Sequence, residues 1–289
     1  GNEKLQNYFS YANTTGHGII GKHNLSKHNL TFRETSVLLN SRLKLDGSMN
    51  LMRQVVKNKP TVGGFYMNPL VGLYRFPRGE DISYYKENFE VYDEGRNLNI
   101  QNWHTSYEDF EQNPYWITNR ILSKENRMHV IVSLSANLKI NDWLSLQTRG
   151  NVDYINDKVR QQFYASTAPA LAGANGRYIE MDYQETQYYG DAILMMKKQW
   201  DAFSLNAALG ASINDKTVNS TRYDSKTASL KYANVFNLAN IIMNGSAGLD
   251  QKIDARRQLQ SLFATAQLGY NEFVYLDLSA RNDWSSTLA

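Results

Sequence analysis

The sequence predicts an all-β chain with the pattern of an antiparallel transmembrane β-barrel, roughly nine to eleven strands with long loops alternating with short turns. Three observations predict it. Apolar and polar residues alternate at period two over runs of about a dozen residues, longer than the ~5–6 of an average strand in a water-soluble protein. Short connections alternate with long ones, and aromatic residues gather beside the short turns.

The first element is a leading strand around Leu5 to Asn13. A less regular hairpin turns at Asn40 and runs out through Leu43, Leu45, Gly47, Met49 and Leu51, against Arg42, Lys44, Asp46, Ser48 and Asn50. From His129 to Ile140 the even positions Val130, Val132, Leu134, Ala136 and Leu138 are apolar, and the odd ones are polar except Ile131. Asn141-Asp142 supplies a tight turn, after which Leu144, Leu146, Thr148, Gly150, Val152 and Tyr154 face one way and Ser145, Gln147, Arg149, Asn151 and Asp153 the other. The pattern recurs from Tyr188 to Asn214 with a turn near Trp200-Asp201. A last hairpin carries Leu262 to Tyr270, turns at Asn271-Glu272, and returns through Val274, Leu276, Leu278 and Ala280.

Between hairpins the chain runs from Gln54 to Asn126, Asn156 to Glu185 and Asp215 to Ala255, segments read here as long loops. Tight turns on one rim and long loops on the other are the habit of outer-membrane barrels. Trp143, Trp200, Phe203, Tyr270, Phe273 and Tyr275 lie beside the tight turns, where an interfacial girdle would sit. The rival architecture is a soluble β-sandwich carbohydrate-binding module, in which the same alternation buries a core between two sheets.

Composition narrows the function. The 289 residues carry 31 basic and 28 acidic side chains, a net +3, so nothing calls for nucleic acid as partner. Cysteine is absent, which removes disulfides, thiolate metal sites and cysteine nucleophiles. No apolar run approaches the ~18–20 residues of a membrane helix, which leaves a membrane barrel open. Tyrosine is abundant, 19 against 5 Pro, in keeping with sheets and wet interfaces.

Two short motifs carry a family resemblance. Leu276-Asp277-Leu278-Ser279-Ala280-Arg281-Asn282-Asp283-Trp284-Ser285-Ser286-Thr287-Leu288 resembles a signature of the SusC/RagA family of TonB-dependent transporters, with Ala280 where the family commonly has Gly and Ala289 where Pro commonly follows. Asn113-Pro114-Tyr115-Trp116 is similar to a second recurrent segment, and Asn2 to Gln54 reads like the family's early barrel strands. The resemblance implies that residues 1–289 are a segment of the wall of a barrel of about twenty-two strands, without a recognisable signal peptide, energy-coupling box or plug domain. It further implies an importer of oligosaccharides, or in some members peptides, in the bacterial outer membrane. Its partners would be TonB, acting through the plug, and a SusD-like surface lipoprotein that closes the mouth. No cofactor, metal or catalytic residue is expected.

The aromatic and amide-rich stretch from Gly79 to Arg120 supplies the candidate substrate or lid contacts, Trp103, His104, Tyr115 and Trp116, because aromatic faces stack on sugar rings. The plainer alternative is that a long loop uses its aromatics to pack on itself. Asn97, Asn99, Gln101 and Asn102 could bond hydroxyls or simply form turns. Glu108, Asp109 and Glu111 form an acidic cluster, the one feature on which a glycoside hydrolase reading would rest. The histidines His17, His23, His28, His104 and His129 show no zinc-like spacing.

Overall fold

The computed structural model describes residues 4–61, 66–105, 111–226, 230–243 and 248–287. One antiparallel 9-stranded sheet contains β1 (Leu5–His17), β2 (Asn24–Leu38), β3 (Leu43–Lys57), β6 (Ile121–Lys139), β7 (Leu144–Phe163), β8 (Arg177–Trp200), β9 (Phe203–Asp224), β10 (Gly248–Tyr270) and β11 (Val274–Ser285), in that spatial order. The connection between β3 and β6 holds α1 (Pro69–Arg75), α2 (Ile82–Glu87), a small hairpin of β4 (Glu90–Asp93) and β5 (Leu98–Gln101), and α3 (Pro114–Arg120). Among the described residues no second large sheet faces the first, so the sandwich rival lacks the layer it requires.

Register settles which residues share a face, because opposed residues of an antiparallel pair point the same way. One row across the sheet reads Leu43, Leu138, Leu146, Leu194, Leu209, Ala264, Ala280. The row three residues away along each strand, and so on the other face, reads Asp46, Ser135, Arg149, Asp191, Ser212, Ser261, Asp283. The first face is apolar yet exposed, with Leu134 at 60% and Leu209 at 54%. A soluble fold leaves no such continuous face open, whereas lipid covers it at no cost. Trp200, Phe203 and Tyr270 border this band at the turn rim. Tyr11, Tyr154, Tyr188 and Trp284 border it on the opposite side, a second girdle that alternation alone did not reveal.

On the inner face several charges have a partner close by. The Asp191 carboxylate, 1% exposed, accepts from Arg149 at 2.6 Å and from the Tyr189 hydroxyl at 2.6 Å. Arg127 meets Asp157 at 2.6 Å, and Asp46 accepts from Thr35 at 2.6 Å and Arg33 at 3.3 Å. In the signature motif, Arg281 and Asp283 pair on the inner face at 3.0 Å, while Trp284 faces outward.

All four tight turns lie on one rim, at residues 39–42, 140–143, 201–202 and 271–273. Asn40, Asp201 and Asn271 adopt positive φ there, of 52°, 42° and 49°, a conformation Asn and Asp tolerate better than most residues. The opposite rim carries residues 18–23, 58–120, 164–176 and 225–247. The long loops are shorter than the sequence suggested. β8 is 24 residues and β10 is 23, so much of Asn156–Glu185 and Asp215–Ala255 is strand, as are both ends of Gln54–Asn126. Crossing a bilayer at a tilt takes ~9–11 residues, and the remainder stands above it. Both faces are mostly polar there, so alternation fades although the ladder continues.

Candidate functional site

The layer over the loop rim is built from capped helices and amide clamps. Asn68 caps α1 by accepting from the Leu70 N–H at 3.0 Å, with Pro69 following in the first turn, where a missing N–H costs nothing. Asn113 caps α3 in the same way through Tyr115 N at 2.8 Å, again followed by Pro. The Asn113 side chain is wholly buried, and its amide donates to the carbonyls of Asn102 at 2.7 Å and Tyr85 at 3.0 Å. One residue of the Asn-Pro-Tyr-Trp motif thus starts a helix and ties three segments together. Gln112, 2% exposed, accepts from Ala168 N at 2.8 Å, and Gln101 N donates to Ser166 Oγ at 2.9 Å. These contacts bolt residues 58–120 to the neighbouring loop 164–176.

The four aromatic candidates fall into two pairs. Trp103 and His104 touch at 4.7 Å between ring centroids and pack with Phe76 and Tyr85. At their centre is the Glu111 carboxylate, 2% exposed, which accepts from Trp103 Nε1 at 3.1 Å and His104 Nε2 at 2.9 Å and pairs with Arg75 at 3.3 Å. Gly72 lets α1 approach this cluster, since a Cβ there would lie 2.4 Å from the Gln112 carbonyl oxygen. Tyr115 and Trp116 sit on α3, and among the described residues no ring contact joins them to the first pair. Trp116 is 0% exposed, with its indole N–H given to Thr167 Oγ1 at 3.1 Å. Tyr115 is half-buried.

The amides singled out in the sequence are engaged too. Asn99 donates to Glu90 at 3.1 Å, Asn102 to the Asn88 carbonyl at 2.8 Å, and Tyr92 donates its hydroxyl to Asn97. Of the acidic cluster, Glu108 and Asp109 lie outside the described residues, and Glu111 has the three partners above. Sequence reasoning missed two features. Glu111 is the hub of the aromatic group, foreshadowed only by an isolated carboxylate inside an aromatic-rich stretch. Glu90 and Arg120 form a bidentate pair at 2.7 and 2.6 Å, with the guanidinium lying over Phe89 and Tyr164. The Arg120 hydrogen bonds hold the Glu90 carboxyl below its ordinary 4.5 despite burial.

Below this layer, on the inner face, lies a cleft of about 310 Å³. Asn58, Lys59, Thr118 and Glu125 provide its polar groups, and Met67 and Phe163 its apolar floor. Lys59 and Glu125 approach to 4.0 Å across it. Mixed walls of this kind suit a polar solute that also offers apolar faces.

No protein-family model and no curated protein matches the chain. Solved structures do. The RagAB peptide transporter superposes with a TM-score of 0.69 at 16% identity, over 100% of this chain and 31% of that one. The fold is that of a TonB-dependent transporter barrel. FpvA from P. aeruginosa, solved with heterologous pyoverdines bound, follows the same wall at a TM-score of 0.60, 12% identity and 98% coverage of this chain. The ferric-catecholate import receptor Fiu from E. coli K12 does so at 0.55, 11% and 98%. The chain spans 31% to 37% of the length of these transporters. The exposed apolar band of this wall, bounded by two aromatic girdles, is the surface that a membrane-spanning β-barrel turns to lipid.

Proposed function

We propose that the chain is a segment of the barrel of a TonB-dependent importer carrying a polar nutrient, an oligosaccharide, across the outer membrane with a SusD-like lipoprotein at its mouth. The observation that carries this reading is the combination of an inner face lined with paired charges and amides and an aromatic-rich layer folded over the outer rim. Such a wall offers a hydrated path, and such a layer offers ring faces and amides at its entrance. Support for a lipoprotein partner comes from the motifs at residues 113–116 and 276–288 and from the higher TM-score to RagAB, 0.69 against 0.60 for FpvA. Energy from TonB reaches such a barrel through its plug.

Within the layer, Trp103, His104 and Tyr115, none of them fully buried, are the proposed nutrient or lid contacts. Trp116, with no exposed face, holds the layer in place for them. A peptide is the second reading, favoured by the likeness of the wall to that of the RagAB peptide transporter.

The test is uptake by cells carrying or lacking the full-length protein, offered labelled oligosaccharides and labelled peptides. Loss of oligosaccharide uptake supports the first reading, and loss of peptide uptake alone supports the second. Unchanged uptake of both overturns the two together. Co-purification of a surface lipoprotein with the full-length protein tests the partner separately.

A further inference from the structure

Above the lipid band the outward face of β3, β6 and β7 carries a vertical strip of basic side chains. In register, Lys57 stands directly opposite Lys124, and Lys124 directly opposite Arg160. Arg53 points outward lower on β3 and Lys158 lower on β7, and all five residues are exposed. Lys158 and Arg160 reach Asp182 at 3.5 Å and Glu180 at 3.2 Å on β8. Among the described residues no carboxylate comes within ion-pair distance of Arg53, Lys57 or Lys124. Like charges directly opposed across a sheet are destabilising, so the Lys57–Lys124 pair costs the fold something that an external anion would return.

The position of the strip says which anion. The last fully apolar or aromatic row is Leu51, Val130, Tyr154; the next outward row, Arg53, Met128, Asn156, is mixed. Arg53 lies two residues above Leu51 along β3 and Lys57 six above. At ~3.3 Å per residue and a tilt of ~40°, those are heights of about 5 Å and about 15 Å. A phospholipid headgroup layer is only about 5–7 Å deep, so it could reach Arg53 but not Lys57 or Lys124. A lipid whose phosphates continue outward through a sugar core would meet the whole strip. The loop rim is the outer one, because tight turns face the periplasm.

We infer that Arg53, Lys57 and Lys124, with Lys158 and Arg160 beside them, form a docking surface for the phosphate groups of an outer-leaflet phosphorylated glycolipid. The inference rests on the outer-membrane reading and deepens it. Lys57 and Lys124 supply unpaired charge to core phosphates, Arg53 binds nearer the acyl boundary, and the Asp182 and Glu180 carboxylates close the surface on its β8 side.

The full-length protein in detergent, titrated with lipopolysaccharide, tests this, alongside the same lipopolysaccharide stripped of phosphate, phosphatidylglycerol and inorganic phosphate. Saturable binding is expected for the intact glycolipid only. Each lysine near an anionic lipid surface is worth roughly a five-fold change in affinity, so Lys57→Gln/Lys124→Gln should bind about 25-fold more weakly. Lys57→Arg/Lys124→Arg should bind like the unsubstituted protein, which guards against a folding defect in the glutamine variant. Equal binding by the glutamine variant, or by phosphatidylglycerol or inorganic phosphate, overturns the inference and leaves the barrel standing. A full-length protein that does not insert into outer membrane overturns the barrel reading as well.

Discussion

At the scale of single residues, Trp116 and Arg120 decide how firmly the outer layer is held. Trp116 fills a wholly buried site and spends its N–H on Thr167, a residue of another loop. Truncating a buried aromatic to Ala costs ~3–5 kcal/mol. Trp116→Ala should therefore speed hydrogen exchange through residues 66–105 and 164–176 while the β7–β8 amides stay protected. Unchanged exchange in the loops would show that the indole is dispensable. Glu90 makes a pH-dependent contribution of known sign. Its folded carboxyl titrates below the 4.5 of the free group, so its stabilisation is complete above that value and is lost as pH falls through the lower folded one. Loop exchange should accelerate on acidification below about 4.5, and Arg120→Gln, removing charge-assisted bonds worth about 2 kcal/mol, should produce the same loosening at neutral pH. The aromatic richness of this region is legible in the sequence, but the division of labour within it is not. Trp116 and Trp103 look alike along the chain, and only the fold brings Thr167 to one and Glu111 to the other.

At the scale of elements, the strands are legible where lipid is the solvent and illegible where water is. Within the band, one face must be apolar and the other polar, so period two is enforced residue by residue from Val130 to Leu138 and from Phe203 to Ile213. Above it, β7 continues with Asn156, Lys158 and Arg160 outward and Asp157 inward, both faces wet, and nothing periodic remains to read. The band's centre on β6 is Leu134, and an arginine on the lipid face near the bilayer midplane costs ~2–4 kcal/mol. Leu134→Arg should sharply reduce insertion of the full-length protein, scored by heat-dependent gel mobility of outer-membrane fractions. Ser133→Arg, one residue along and facing the hydrated interior, should insert normally. Equal insertion of both variants would mean that the faces are wrongly assigned.

At the scale of the whole molecule, the sheet is an open wall whose order begins with β1 and ends with β11. Among the described residues each of these edge strands pairs along one side only, and an exposed strand edge is a template for pairing with another chain. The outer face adds to this, since Val274, Leu276 and Leu278 on the β11 edge are each more than half exposed. Lipid can cover that face, but no lipid satisfies an open edge, because hydrocarbon offers backbone groups no hydrogen bonds. The two liabilities respond to different remedies. Mild detergent should disperse association driven by the apolar band, while association through the edges should persist as discrete oligomers or as a smaller sheet closed on itself. Size-exclusion chromatography with light scattering on residues 1–289 alone separates these effects: large aggregates in buffer should resolve, with detergent, into dimers or higher oligomers. A monodisperse monomer in buffer without detergent would contradict the lipid-facing assignment, because a wall with that much uncovered apolar surface has no way to stay apart in water.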